Sequence, residues 1–340
     1  MEPLIARILD RFSPISLEQL NGKAAMLERV DNKYIIPAHR LRSALESFST
    51  HFDVLEIDGR RTFTYATSYF DDPELHSYYD HHQGRRKRCK VRVRDYVDAG
   101  LSYLEVKLKD RRQITVKKRL RLAQPGQGLN AAAFEFIECC HRDLYAEPFA
   151  RPLRPVIRMR YQRITLVAKE GGERMTIDTE LEFHTGDTTR VVDPTMFIIE
   201  TKSARGNGRA DHILRSLHVH PTKRCSKYCI GMAATGQVAR RNRFLPALRR
   251  LDLLNADVRP TNPLDEGLTP ASVGQAPMLA QQGTQGMLHG VDSDFLRTGL
   301  LRPTRDRDAG KRAPKGAFRN LGLEQEVHAP GDRQLRAITC

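Results

Sequence analysis

Arg88-Cys89-Lys90-Val91-Arg92-Val93-Arg94 is the stretch that decides how this chain folds. With a period of two, Arg88, Lys90, Arg92 and Arg94 share one face of a strand, and Cys89, Val91 and Val93 share the other. Four cations in a row repel one another unless an anion lies between them. The stretch therefore predicts a strand whose charged face, with others like it, surrounds a polyanion.

The neighbouring segments repeat the habit. Residues 29–36 place Arg29, Asp31 and Lys33 opposite Val30, Asn32 and Tyr34, and a helix over 38–49 follows. Strands are predicted at 52–58, 61–71 and 86–97. At 102–109, Tyr103, Glu105, Lys107 and Lys109 oppose Leu104, Val106 and Leu108. At 113–122, Lys117, Arg119 and Arg121 share a face, while Lys118 has the other parity and belongs outside. A helix is expected near 130–143. Residues 155–168 carry Arg158 and Arg160 on one face. Residues 173–183 carry Arg174, Thr176, Asp178, Glu180 and Glu182, and residues 196–203 carry Glu200 and Lys202. Helices at 209–218 and 230–242 close the pattern, with Arg224 and Lys227 in the loop between them. His81-His82, just before Gly84, reads as a solvated turn-forming pair rather than a metal site.

Composition limits the partners. The chain has 340 residues and a formal charge of +15. From residue 251 onward, 9 Arg and 2 Lys balance 8 Asp and 3 Glu, so the whole excess belongs to residues 1–250. That region reads as one basic domain, and 251–340, with 7 Pro and 10 Gly and no sustained period, as a disordered tail. The six cysteines show no framework spacing, which suggests reduced thiols in the cytoplasm. The sequence shows no signal peptide and no run of 18 apolar residues, so any contact with a membrane is expected through a partner.

An open sheet with one wet face would explain any single strand of this kind. It does not explain why the first half of the chain presents Lys33, Lys90, Arg92, Arg94, Lys107, Lys117 and Arg119 with so few acids among them, since a merely soluble surface intersperses signs. The acids gather instead on the later faces. Glu200, with Glu105, Asp178 and Glu180 as weaker candidates, offers oxygen ligands for a hard divalent cation. Closing the sheet would turn the charged faces into a tunnel and the apolar faces outward beneath helices. Single-strand nucleic-acid binders interleave aromatics with a basic groove; these faces carry Lys and Arg, the chain has no Trp, and no specific nucleic acid is expected.

The stretches Asp31-Asn-Lys-Tyr34, Tyr69-Phe-Asp71, Lys90-Val-Arg-Val-Arg94, Glu105-Val-Lys107, Val116-Lys-Lys-Arg119, Arg158-Met-Arg-Tyr-Gln-Arg163, Ile177-Asp-Thr-Glu-Leu181, Ile199-Glu-Thr-Lys202 and Ser226-Lys-Tyr228 resemble the catalytic domain of the vacuolar transporter chaperone (VTC) polyphosphate polymerases, a branch of the CYTH-like triphosphate tunnel metalloenzymes. The resemblance implies an α+β fold: a closed eight-stranded antiparallel β-barrel with flanking helices. It implies that Arg92, Arg94, Lys107, Lys117 and Arg158 act on the reacting phosphates, and that Lys33, Lys90, Arg174, Arg224 and Lys227 bind the chain. Glu200 would hold Mn2+ or Mg2+. ATP would be the donor and a polyphosphate chain the acceptor, with a membrane protein as a partner by analogy. Two rivals stand beside this reading: a tripolyphosphatase or nucleoside triphosphatase using the same tunnel, and a non-enzymatic module that binds polyphosphate or RNA.

Overall fold

Strands with one charged and one apolar face need a partner layer over the apolar side, and the computed structural model supplies helices there. It describes residues 3–23, 30–110, 115–186, 188–254, 259–260 and 322–327. α1 (Pro3–Leu9), β1 (Pro14–Ile15) and α2 (Leu17–Lys23) precede β2 (Val30–Pro37), which runs directly into α3 (Ala38–Phe48). β3 (Phe52–Leu55), β4 (Phe63–Asp71) and α4 (His76–Gln83) lead to a meander of β5 (Arg88–Tyr96), β6 (Leu101–Lys109) and β7 (Thr115–Leu122), then α5 (Ala131–Tyr145). β8 (Arg154–Ala168), β9 (Arg174–Thr185), β10 (Thr188–Val191) and β11 (Met196–Ser203) follow, with α6 (Arg209–Ser216), α7 (Lys227–Ala234) and α8 (Leu245–Arg250) after them. β12 (Arg259–Pro260) and β13 (Gly322–Val327) lie beyond residue 250; most of the tail expected to be disordered lies outside the described residues.

The sheet path β7–β6–β5–β4–β8–β9–β11–β2 is antiparallel throughout. The expected closed eight-stranded barrel is corrected in two respects. The sheet holds thirteen strands among the described residues, and no pairing among them joins β2 to β7. The reason lies at the edge: the free side of β7 pairs in parallel with β13, so its hydrogen-bonding groups are not offered to β2. The path still curves strongly. Lys107 on β6 lies near enough to Asp31 and Lys33 on β2 and Glu200 on β11 for their charges to act on its ionisation. The result is an antiparallel trough, open along one seam.

Three apolar clusters fix this shape. Val91, Val93, Leu104, Val106, Leu108 and Leu120 pack outward against Ala133, Ile137 and Cys140 of α5. Tyr34, Ile36, Leu166, Ile177, Phe197 and Ile199 pack outward beneath α1, α3 and α6. The third cluster is inside. Ile35, Ile157, Met159, Leu181, Phe183 and Ile198 face α7 and α8 within the curve of the sheet. Leu251 and Leu253 belong to this cluster as well, so packed structure runs slightly past residue 250.

Several boundaries differ from the sequence reading. His81-His82 is not a solvated turn; it is the last turn of α4, ended by Gly84 at φ +76°. His82 is buried, and its Nε2 lies 2.8 Å from Asn242 Oδ1. The helix expected at 230–242 starts at Lys227, capped by the Ser226 hydroxyl, and breaks at Gly236, whose φ of +74° suits glycine. A bulge separates the pairs Arg160↔Glu182 and Gln162↔Thr179, adding a residue to β9 at Glu180, where φ is +51°. Asp178 is inward before the bulge, and Leu181 and Phe183 are inward after it.

Gly231 sets how closely α7 approaches the sheet. A Cβ there would lie 2.4 Å from Phe183 Cδ1 and 2.5 Å from Ile157 Cδ1. Gly231→Ala is expected to lower stability by about 1–3 kcal/mol through overpacking. A denaturant titration reading the midpoint against wild type checks this; an unchanged midpoint would mean that α7 is not wedged there.

Candidate anion-binding site

Alternation on β5 turns Lys90, Arg92 and Arg94 into the trough, and the register carries the same face across its neighbours. Arg92 pairs with Glu105, Glu105 with Arg119, and Lys107 with both Lys90 and Lys117. Arg92 Nε donates to Glu105 Oε2 at 2.6 Å, Lys117 Nζ is 2.9 Å from Oε1, and Arg94 Nη1 is 3.9 Å from Oε2. Burial favours the neutral acid, yet Arg92, Arg94 and Lys117 hold the Glu105 carboxyl well below its usual range. Arg92 also donates to the Tyr69 hydroxyl at 2.8 Å.

The opposite wall repeats this arrangement twice. Lys33 lies 2.8 Å from Glu200 Oε2 and Lys202 lies 3.8 Å from Oε1, an arrangement set by the pairs Glu200↔Lys33 and Lys202↔Asp31. Burial again opposes ionisation, but the two lysines keep Glu200 well below its ordinary value. Asp178 receives a two-pronged bond from Arg163 at 2.6 and 2.8 Å and also pairs with Lys227. Those two cations hold it down to about 2 against the effect of burial.

The structure thus brings Lys33, Lys90, Arg92, Arg94, Lys107 and Lys117 to one concave face, with Glu105, Asp178 and Glu200 between them. Arg174 stands opposite Lys202 in register and depresses its ionisation. Lys227 meets Asp178, and Lys90 reaches Ser226 Oγ at 3.1 Å. Arg224, at φ +58°, donates to the His82 carbonyl at 3.3 Å, on the side where Arg88 and Lys90 surround His81.

Two expected residues are placed elsewhere. Arg158 pairs with Ser68, between Thr67 and Tyr69, so it lies on the face away from Arg92. Glu180 occupies the bulge rather than a regular inward position. Arg163, with Tyr161 beside it, takes the place on β8 that the sequence reading gave to Arg158. Counting by twos from outward Ile164 and Leu166 points to Arg163, but Ile157 and Met159 are also apolar at the other parity and conceal the signal.

Some buried polar atoms on this face have no protein partner: Arg94 Nε, Thr67 Oγ1, Thr176 Oγ1 and Tyr161 OH. Leaving such groups unsatisfied costs about 1–3 kcal/mol each, so the face is built for a polar occupant. Arg163 lies over the rings of Tyr65 and Tyr161, and Arg94 over Tyr65, which fixes the guanidinium planes without consuming their donors.

A divalent cation fits at Glu200 only in the manner of one or two carboxylates completed by phosphate oxygens, because Glu105 and Asp178 are each held closely by two cations, whereas Glu200 has one close partner, Lys33, and a longer contact with Lys202. Asp31, on the same side of β2 as Lys33, is the nearest second carboxylate by register. Among the described residues, Asp72, Glu74 and His76 also bring ligand atoms within 4.8 Å of one another, at the start of α4. There His76 Nδ1 already lies 2.8 Å from Asp72 Oδ2.

Desolvation by the surrounding trough lowers Lys107, whose side chain still reaches solvent, to about 8, and burial, reinforced by Arg174 against the pull of Glu200, lowers Lys202 to about 7. A bound polyanion favours the protonated lysines, so binding should take up protons. Affinity for tripolyphosphate is expected to fall as pH rises through about 7 to 8. Calorimetry in buffers of different ionisation enthalpy measures the uptake directly; zero uptake in that window would contradict the assignment.

Residues 28–235, more than half of the chain, match the VTC domain. No curated protein matches the sequence. Solved structures with a similar arrangement include HpAC1 from Hippeastrum, an adenylyl-cyclase candidate described as having a dominant triphosphatase activity. It is 13% identical, with a TM-score of 0.39 over 61% of this chain and 96% of that one. The PH1819 protein of Pyrococcus horikoshii is 14% identical, with a TM-score of 0.35 over 59% of this chain and 96% of that one. No described helix is long and apolar enough to cross a membrane.

Proposed function

The chain belongs to the VTC domain family, and from that premise we propose that its trough carries out metal-assisted phosphoryl transfer on a linear phosphate chain, with ATP as donor and polyphosphate as acceptor. The observation that supports this most directly is the ring of cations around Glu105, Glu200 and Asp178. Each acid is outnumbered by its partners, so the face keeps positive charge for a ligand while staying stable without one.

Phosphoryl transfer asks little covalent chemistry of a protein. Arg92, Arg94, Lys107 and Lys117 on one wall, and Lys33, Arg163 and Arg174 on the other, would hold successive phosphates and neutralise charge as it spreads over the transferring group. Bidentate guanidinium contacts fix orientation as well as charge. A terminal chain phosphate is already anionic and needs no strong base. Mn2+ or Mg2+ held at Glu200, when bound, would supply further neutralisation of the bridging oxygens. Lys202, poised near neutrality, can give or hold a proton beside that carboxylate. Any membrane association would come through a partner protein, and its test is whether the protein co-fractionates with membranes.

Hydrolysis to phosphate is the second reading, and the packing of α7 inside the sheet favours it: a chain held in a trough stopped at one end lies open to water at the other. Incubating the protein with ATP and Mn2+ separates the two. Chains resolved on a gel support polymerisation; phosphate release without chains supports hydrolysis. Absence of both would overturn the proposal.

Arg92→Ala is expected to lower kcat/KM about 10- to 100-fold, the worth of a charge-assisted hydrogen bond or two. Glu200→Gln is expected to lower metal-dependent turnover about 100-fold or more while leaving metal-free binding of tripolyphosphate in place. Retained metal-dependent turnover in the Gln variant would remove Glu200 from the metal site.

A further inference from the structure

We infer that the trough is blind at one end and holds a linear phosphate chain by its free terminus, instead of letting the chain pass through. This rests on the phosphate-chain reading above and specifies which part of the chain is recognised.

The inference comes from a change in chemistry along the inward faces of β2, β8, β9 and β11, against a wall of β5, β6 and β7 that stays charged. Lys33 gives way to Ile35 on β2, and Glu200 to Ile198 on β11. Beyond the bulge of β9, Asp178 gives way to Leu181 and Phe183; on β8, Arg163 gives way to Met159 and Ile157. α7 lies directly on these apolar positions. Gly231 brings its backbone against Phe183 and Ile157, and Tyr228 stacks on Tyr69 with ring centroids 4.8 Å apart. Ile230, Met232 and Leu248 complete a packed core with no more than 1% exposure each. A phosphate chain passing this way would have to leave its charges in an apolar interior, at several kcal/mol per ion.

Cations ring the level at which the packing begins. Lys227 starts α7 and pairs with Asp178; Lys90 donates to Ser226 Oγ; Arg224 is tied to the α4 terminus through the His82 carbonyl. A terminal phosphate, with a second ionisation near pH 6, carries close to two negative charges at neutral pH, against about one on an interior phosphate. The floor of the trough therefore suits the end of a chain.

The test compares metal-free binding of linear polyphosphate with free ends and of the same preparation with both ends capped as alkyl phosphoramidates. Capping is expected to weaken binding about tenfold or more. With free-ended chains the saturating ratio should stay at two protein molecules per chain as the chain lengthens. Equal affinity for capped chains, or a ratio that grows with length, would overturn end recognition. Arg92→Ala run alongside keeps the outcomes apart. If that variant binds free-ended chains as well as wild type, the phosphate-chain reading of the trough itself fails. If it loses binding while capped and free chains remain equivalent, only end recognition fails.

Discussion

The structure depends on three carboxylates, Glu105 and Asp178 buried and Glu200 half-buried, each outnumbered by cations at ion-pair distance. Two unit charges 5 Å apart at an effective dielectric of 20 interact by about 3 kcal/mol, so a bare ring of lysines and arginines would strain the sheet that carries it. Glu105 among Arg92, Arg94 and Lys117, Asp178 between Arg163 and Lys227, and Glu200 between Lys33 and Lys202 divide that repulsion into local, nearly balanced groups. The balance is incomplete. Arg94 keeps a donor without a protein partner, and Lys107 sits among cations with its ionisation depressed. Stability without ligand and attraction for a polyanion come from the same arrangement.

The fold serves that arrangement through two opposite uses of strand alternation. On β5, β6 and β7 the charged positions stay inward along the whole strand, and apolar residues pack outward under α5. On β2, β8, β9 and β11 the inward face changes from charged to apolar, and α7 and α8 occupy the apolar part. One wall is polar from end to end; the other ends in a core. The bulge at Glu180 makes the change possible on β9, because one extra residue turns Leu181 and Phe183 inward where regular alternation would have turned Glu180 and Glu182.

Arg92, Arg94, Lys107 and Lys117 are legible from parity alone, because their strands carry charge on one face and mostly apolar residues on the other; Lys33 and Glu200 share their parity with Ile35 and Ile198 and are less plainly marked. Where both parities hold apolar residues, as in residues 155–168, charge is a poor guide to direction, and Arg163 is concealed behind Arg158 and Arg160. The sheet's edges are equally hidden, since no local pattern shows which strand will pair with a segment some 200 residues later in the chain, as β7 does with β13.

What the sequence by itself determined is the period-two alternation: an antiparallel sheet, a concave basic face and the carboxylates set within it. Side-chain parity is a local property, fixed by the geometry of the extended backbone. Only the tertiary structure decided that the sheet stays open along one seam and that α7 enters its curve and closes one end. Those outcomes depend on long-range packing, on the contact of Gly231 with Phe183 and Ile157 and on an edge already paired, and no residue announces such a neighbour in advance.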